Sequence, residues 1–371
     1  MRILYHHRTR AEDGSAVHIR SLQAAFRALG NDVLEVGPTA GKETTRGRSI
    51  PLPGLAREIL ELVYDRAALG RVMAAGAEFR PDLVYDRHAL GSTVALTAGR
   101  RLGVPVIIEV NAPLVDEVSE TRGLLVKGTF RKRERRLLQE ADRVCAVSGV
   151  LADRLADLGA DRSRIILTPN GVDLDRYDVN DRGKALRSEW QVGDKVVIGL
   201  TGFVRSWHRL DLLTESCAAA GADRFLLAIA GEGPARAEAE RAAERAGVSS
   251  SFPGVLEHAS VPGFLAACDV CIVAAATPYA SPLKLFEYMA AGRAVLAPDQ
   301  PNMTEHLSHE ANAWLFKKGD AGSLAAGLDA LAADADLRSR LGAAGRATVV
   351  ERDLTWEGNA KRVLASLEGP T

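Results

Sequence analysis

The chain has 371 residues, 47% hydrophobic and 26% charged, close to the globular average, which excludes a disordered chain. Its 47 Lys and Arg against 48 Asp and Glu give a formal charge of −1, so it is not a protein coated in positive charge for duplex nucleic acid, although a local basic patch remains open. No apolar run approaches the roughly 18 residues that span a bilayer, MRILYHHRTR has no signal-peptide core, and four cysteines make no disulfide scaffold; a cytosolic chain of roughly two or three domains is expected.

In chain order, short β-branched runs alternate with amphipathic helical stretches. MRILYHH reads as a buried strand, and a helix follows with Ile19, Leu22, Phe26 and Leu29 on one face, ended by Gly30-Asn31. DVLEV, DLVYD, PVIIEV, DRVCAVS and RIILTPN continue the strands. PNGVDLDRYD is a turn-rich pause, and KVVIGL opens a second series that runs through RFLLAIAG, SSFPG, DVCIVAA and RAVLAP. Helices at 323–332 and 337–347 close that series. The pattern predicts two α/β units with parallel sheets, residues 1–175 and 176–353, joined near residues 170 to 190. The segment 354–371 is expected to pack back on the first. Ligand chemistry is then sought in the loops after strand ends.

Four such loops stand out in the second unit. In TGFVRSWHRLDLL, Gly202 follows a strand, and Arg205 and His208 precede a helix, which suits a phosphate as well as a solvated turn. In AGEGPARAEAE, Gly231 and Gly233 flank Glu232; they let a backbone approach a ligand, or simply make a tight strand-to-helix turn. In FPGVLEH, the main chain near Val255 could read a base edge. TPYASPLKLFEYMAAGRAVLAP is the most informative: Ser281, Pro282 and Leu283 precede a helix whose free amides and macrodipole attract an anion. Lys284 adds a charge there, and Glu287, one turn on, can accept two ribose hydroxyls; the plainer alternative is a capped, buried helix. In the first unit, Gly14 and Ser15 stand at a helix start, Ser15 as a cap or a phosphate or sugar contact, His7 adjoins that loop, and Asn111 ends PVIIEV.

Two further features carry plain readings. Cys268 and Cys271 fall on opposite faces if both are extended, and read as small buried residues, not a metal or redox pair. KGTFRKRERR presents Lys127, Arg131, Lys132, Arg133, Arg135 and Arg136, either as a solvated face or as a contact for anionic lipid.

Taken in order, SPLKLFEYMAAGRAVLA, GEGP, PNGVD and RLGVPVIIEVNAPLVDE resemble the family 4 glycosyltransferases, over almost the whole chain. The resemblance implies a GT-B fold, with two Rossmann-like domains facing across a cleft. It also implies retaining, metal-independent transfer of a sugar from a nucleotide-diphosphate sugar to a hydroxyl of a lipid-linked glycan, polysaccharide or small molecule. No cofactor is implied, and UDP is favoured over GDP. By position, Glu287 would bind the ribose, and Ser281, Pro282 and Leu283 the diphosphate. Gly202 would begin the diphosphate loop, Val255 and Leu256 would meet the base, and Gly14 would lie near donor phosphate and acceptor. The sequence departs from the family at Tyr279, Phe203, His208 and Asn111, where many members carry Glu, Arg, Lys and His. The diphosphate is therefore assigned to Arg205, His208 and Lys284, the reacting centre to Asn111, Arg205 and Lys284, and the acceptor to Ser15 and His7. A non-catalytic sugar-nucleotide binder and a GT-B epimerase are the alternatives.

Overall fold

The computed structural model describes residues 1–10, 14–38, 54–178 and 182–368. The chain divides into two compact units, Met1–Pro169 with Glu357–Thr371, and Asn170–Trp356.

Unit 1 carries a six-stranded sheet of β1 (Arg2–His6), β2 (Asp32–Val36), β3 (Leu83–Arg87), β4 (Val106–Val110), β5 (Arg143–Ala146) and β6 (Ile165–Leu167), in the order β2-β1-β3-β4-β5-β6. Its helices are α1 (Gly14–Ala28), α2 (Gly54–Phe79), α3 (Val94–Leu102), α4 (Leu114–Arg122), α5 (Lys127–Glu140) and α6 (Gly149–Asp157). Every strand pair is parallel. Parallel strands covered on both faces must be apolar throughout, and all five residues of β4 are buried, including Glu109. A carboxylate there needs partners. The strand order reverses between β1 and β3, which opens a crevice at their carboxyl ends.

Unit 2 holds β7 (Val196–Thr201), β8 (Phe225–Ala230), β9 (Ser249–Gly254), β10 (Val270–Ile272), β11 (Ala294–Asp299) and β12 (Trp314–Lys317), in the order β12-β11-β10-β7-β8-β9. With them run α7 (Arg182–Glu189), α8 (Leu210–Ala219), α9 (Arg236–Arg245), α10 (Val261–Ala267), α11 (Leu283–Ala290), α12 (Pro301–Thr304), α13 (Ala321–Ala333) and α14 (Ala335–Glu351). A last helix, α15 (Trp356–Ala365), belongs to unit 1 from Glu357 onward, where Asn359 Nδ2 donates to the Pro169 carbonyl. The switch point here lies between β7 and β10, with Gly202 just past one strand and the 273–282 loop just past the other.

Two sequence expectations change. The strand β12 is absent from the predicted series: it is a four-residue edge strand paired only with β11. Cys268 and Cys271 do not lie on opposite faces. Cys268 ends α10, so alternation does not apply, and a Cβ on Gly199 would meet both sulfurs, at 2.3 and 3.6 Å. Both thiols are buried and free, as small apolar fillers.

Candidate active site

In unit 2, β7 ends at Thr201, whose amide donates to the Tyr288 hydroxyl at 2.9 Å, tying this strand end to α11. Gly202 follows with φ +115°, and a Cβ there would sit 3.4 Å from Lys284 Nζ. The loop after β7 and the start of α11 therefore meet at the switch point. The N-cap of α11 is Pro282, which has no side-chain acceptor, so Leu283, not Ser281, opens the helix with uncapped amides. Ser281 is held differently from a cap: its Oγ accepts from the Asn170 amide at 2.9 Å, and its carbonyl accepts from Asn170 Nδ2. Asn170 is thus the brace of this loop, which gives PNGVD a structural reason.

The charges around this start are uneven. Burial pulls the Lys284 ammonium down to about 8, against support from Glu287. The guanidinium of Arg205 is exposed and lies over the rings of Phe203 and Trp207, with centroids at 4.6 and 4.7 Å. Among the described residues neither cation makes an ion pair with a carboxylate. His208 is half-buried, and burial, then Lys284 and Arg205, lower it to about 3. Its Nδ1 accepts from the Arg205 amide at 3.4 Å, which leaves Nε2–H as a neutral donor, a tautomer assigned from this contact. Two cations, a neutral donor and uncapped amides make an anion site in which Glu287 supports Lys284 electrostatically but, among the described residues, no carboxylate forms an ion pair with either cation.

Glu287 lies on the same helix, half-buried, with its Oε1 3.7 Å from His258 Nε2. Burial raises the Tyr177 hydroxyl, and Glu287 beside it raises it further. Arg176 NH1 donates to the His258 ring at 2.7 Å. Leu256 packs against the core, whereas Val255 is 74% exposed. Tyr279 is half-buried on the loop before Ser281.

Gly231 and Gly233 have a reason inside the chain. A Cβ on Gly231 would lie 2.0 Å from the Gly202 carbonyl oxygen, and one on Gly233 2.0 Å from that of Val204. The two loops run backbone to backbone, with the Gly202 amide donating to Ala230 and the Val204 amide to Glu232. The glycines thus shape the Gly202–Val204 loop. A groove of about 720 Å³ adjoins Arg205, but its other walls come from α8, α9 and their leading turns, and it does not include Gly202, Lys284 or Glu287.

In unit 1 the polar residues gather on Glu109, which the motifs did not single out. Glu109 accepts from Tyr85 at 2.9 Å, Tyr5 at 3.4 Å and Asn111 Nδ2 at 2.6 Å. His18 Nε2 lies 3.0 Å away, and the guanidinium of Arg87, its register partner on β3, completes the set. Burial alone would raise this carboxyl, but His18 and Arg87 overcome it and hold it well below the usual carboxylate range. Burial, then Glu109, push up the Tyr5 and Tyr85 hydroxyls and the Cys145 thiol, the last to about 12. The available signal was a Glu inside an otherwise apolar run, PVIIEV.

Other expected positions in unit 1 change. Ser15 is not the cap, because α1 already begins at Gly14 and places Ser15 in its first turn. His7 is 7% exposed; its Nε2 lies 3.0 Å from Glu35 and its Nδ1 accepts from the Thr9 amide, so both nitrogens are taken within the chain. In the basic run, Arg131 pairs with Asp116 and Glu134, Arg133 with Asp65, and Arg136 with Glu140. Lys127, Lys132 and Arg135 are exposed.

Comparison with known proteins bears on the family and the fold. The model of Glycosyltransferase Family 4 matches residues 13–176, and that of Glycosyl transferases group 1 matches residues 184–348. A D-inositol 3-phosphate glycosyltransferase of Actinosynnema mirum is 30% identical over 179 residues, covering 46% of this chain and 42% of that protein. A GDP-mannose-dependent alpha-(1-6)-phosphatidylinositol dimannoside mannosyltransferase of Mycobacterium tuberculosis is 27% identical over 231 residues, covering 61% and 57%. The chain spans about half the length of the curated relatives it matches. The crystal structure of Anabaena Alr3699/HepE in complex with UDP and glucose superposes with a TM-score of 0.78 at 16% identity, over 99% of both chains. With two successive family models and the GT-B fold of two Rossmann-like units, the chain belongs to the family 4 glycosyltransferases.

Proposed function

We propose that this chain is a retaining hexosyltransferase that moves a sugar from a nucleotide-diphosphate sugar to a hydroxyl acceptor. One observation carries the reading: Lys284, Arg205 and the uncapped start of α11 gather at the β7/β10 switch point, and among the described residues neither cation forms an ion pair with a carboxylate. Cleaving a sugar–phosphate bond leaves negative charge on the diphosphate, and preorganised donors and cations stabilise it. Lys284 and Arg205 neutralise that charge as it forms, and His208 donates without adding one. These groups do the charge work without a metal ion. Glu287 receives the ribose hydroxyls. Retention follows a front-face attack in which the leaving phosphate oxygen takes the acceptor's proton, so no separate base is required. Glu109 argues against the epimerase alternative, because five donors surround a carboxylate with about four lone-pair sites. The UDP of the Anabaena neighbour and the GDP-mannose of the mycobacterial relative support a nucleoside diphosphate and leave the base open. The test is incubation with a panel of nucleotide-sugars and hydroxyl acceptors. Sugar transfer, or slow release of free nucleotide, is expected. Tight binding without turnover favours the binder, and interconversion of two sugar-nucleotides favours the epimerase.

We also propose peripheral contact with an anionic lipid surface, for which α2 supplies the supporting observation. Three of its acids are engaged within the chain: Glu58 accepts from the Leu125 and Val126 amides, Glu61 from Arg8, and Asp65 from Ser92 and Thr93. Its outward stripe is Leu55, Ile59, Leu60 and Val63, all exposed, and Leu125 reaches Gly54 beside them. Lys127, Lys132 and Arg135 supply the charge, worth about 1 kcal/mol each near such a surface. Co-sedimentation with anionic vesicles should be strong at low salt and weakened at high salt and by Ile59→Asp. No salt-sensitive binding removes this proposal.

A further inference from the structure

The buried anion of unit 1 touches one residue at a strand end where the chemistry is expected. Asn111 follows β4 at the carboxyl edge of the sheet, is only half-buried, and donates through Nδ2 to Glu109 Oε1 at 2.6 Å. An ionised carboxylate only accepts, so the atom facing it must be the amide nitrogen. The other end of the side chain is then the carbonyl oxygen, and among the described residues nothing donates to it. A free asparagine offers either a donor or an acceptor by rotating its amide, and this one cannot.

We propose that Glu109 is a positioning residue that locks the Asn111 amide, so that only its Oδ1 is presented and a substrate hydroxyl is accepted there. This rests on the glycosyltransferase reading for the identity of the substrate, but the lock itself does not. Glu109 is well placed for it. Tyr5 of β1, His18 of α1, Tyr85 and Arg87 of β3 and Cys145 of β5 face it, and four of these five give it donors that fix both oxygens. The two tyrosine rings, stacked at 4.9 Å, wall it from water. The carboxylate therefore does not turn, and neither does the amide it holds.

Three variants test this. Glu109→Gln restores rotational choice to the amide, and Asn111→Ala removes it. Each should lower kcat about tenfold while leaving the donor KM within about twofold, the range expected for one well-placed hydrogen bond. The pair should not multiply: in the Asn111→Ala background, Glu109→Gln should cost no further kcat. Multiplying losses would mean that Glu109 acts through the fold alone, and overturn the proposal. Asn111→Asp keeps the buried network and sets two carboxyls against each other. Its kcat should be low at pH 8 and recover as pH falls toward 5, because the protonated acid donates to Glu109 and presents its carbonyl, as the amide did. A pH profile matching wild type contradicts the lock. A readout independent of turnover is the Asn111 side-chain NH2 signal, identified by its loss in Asn111→Ala. It should move strongly in Glu109→Gln, and an unmoved signal overturns the lock. Absence of turnover in the wild type is a failure of the glycosyltransferase reading, and the NH2 signal still decides the lock in that case.

Discussion

In unit 1 a polar cluster is built around a buried anion, Glu109, whose partners come from the chain. In unit 2 the corresponding cluster is built around cations that, among the described residues, form no ion pair with a carboxylate: Lys284 half-buried beside Gly202, and Arg205 held over two exposed aromatic rings. A charge satisfied internally sets the shape of what surrounds it. A charge left without a partner at a strand end awaits a ligand of the opposite sign. On the proposed reading, hydroxyl recognition belongs to unit 1 and phosphate chemistry to unit 2.

The largest expected effect breaks the unit 2 half of that contrast. Lys284→Ala should lower turnover about 10²-fold or more, with acceptor KM little changed, as for loss of one preorganised donor at a charged transition state. Arg205→Ala should follow with roughly a tenfold loss, since an exposed side chain is partly replaced by water. Steady-state rates for both measure this; if both leave turnover intact, the diphosphate lies elsewhere. Next in size, Gly231→Ala drives a methyl against the Gly202 carbonyl at a φ of +143° and should cost about 2–3 kcal/mol of stability, read by denaturant unfolding. Unchanged stability would leave Gly231 to a role in ligand approach.

A smaller effect sharpens the account of Lys284. Because burial holds the ammonium down to about 8, affinity of the free protein for a nucleoside diphosphate should fall as pH rises through 8. Lys284→Arg, always charged, should remove that fall. The smallest effect concerns acid stability. Burial, then Arg352, lower His306 to about 4, and burial with Lys284 and Arg205 lower His208 to about 3. The unfolded chain, with histidines near ~6.5, then binds more protons than the folded one between these values. Stability is full above about 6.5 and is lost as pH falls toward 4. The Tm should drop by a few degrees (~2–4 °C) between pH 7 and 5, less so in His306→Gln.

Much of the fold was readable because both sheets are parallel and their strands are short apolar runs between amphipathic helices. The edge strand β12 was not, since WLFK is brief, paired on one side only, and flanked by polar residues. The face of Cys268 could not be read from alternation, because a helix ends there and the residue is not within a strand. The loops of unit 2 were legible as glycines, a lysine and a glutamate near strand ends, all within the motif stretches. The role of Asn170 in bracing Ser281 was not, and the Glu109 cluster was missed for the same reason. Its donors come from β1, α1, β3 and the turn after β4, as far as 104 residues from Glu109, and no spacing along the chain brings them together.

The central claim is that unit 2 grips a diphosphate through Lys284 and the start of α11. It is tested most directly by titrating UDP, GDP and ADP, in the presence of EDTA, into the wild-type protein and Lys284→Ala by calorimetry at pH 7. The account predicts saturable binding of at least one of them to the wild type, weakened tenfold or more by the substitution, with the two proteins equally stable when unliganded. Equal affinity for both proteins would contradict it.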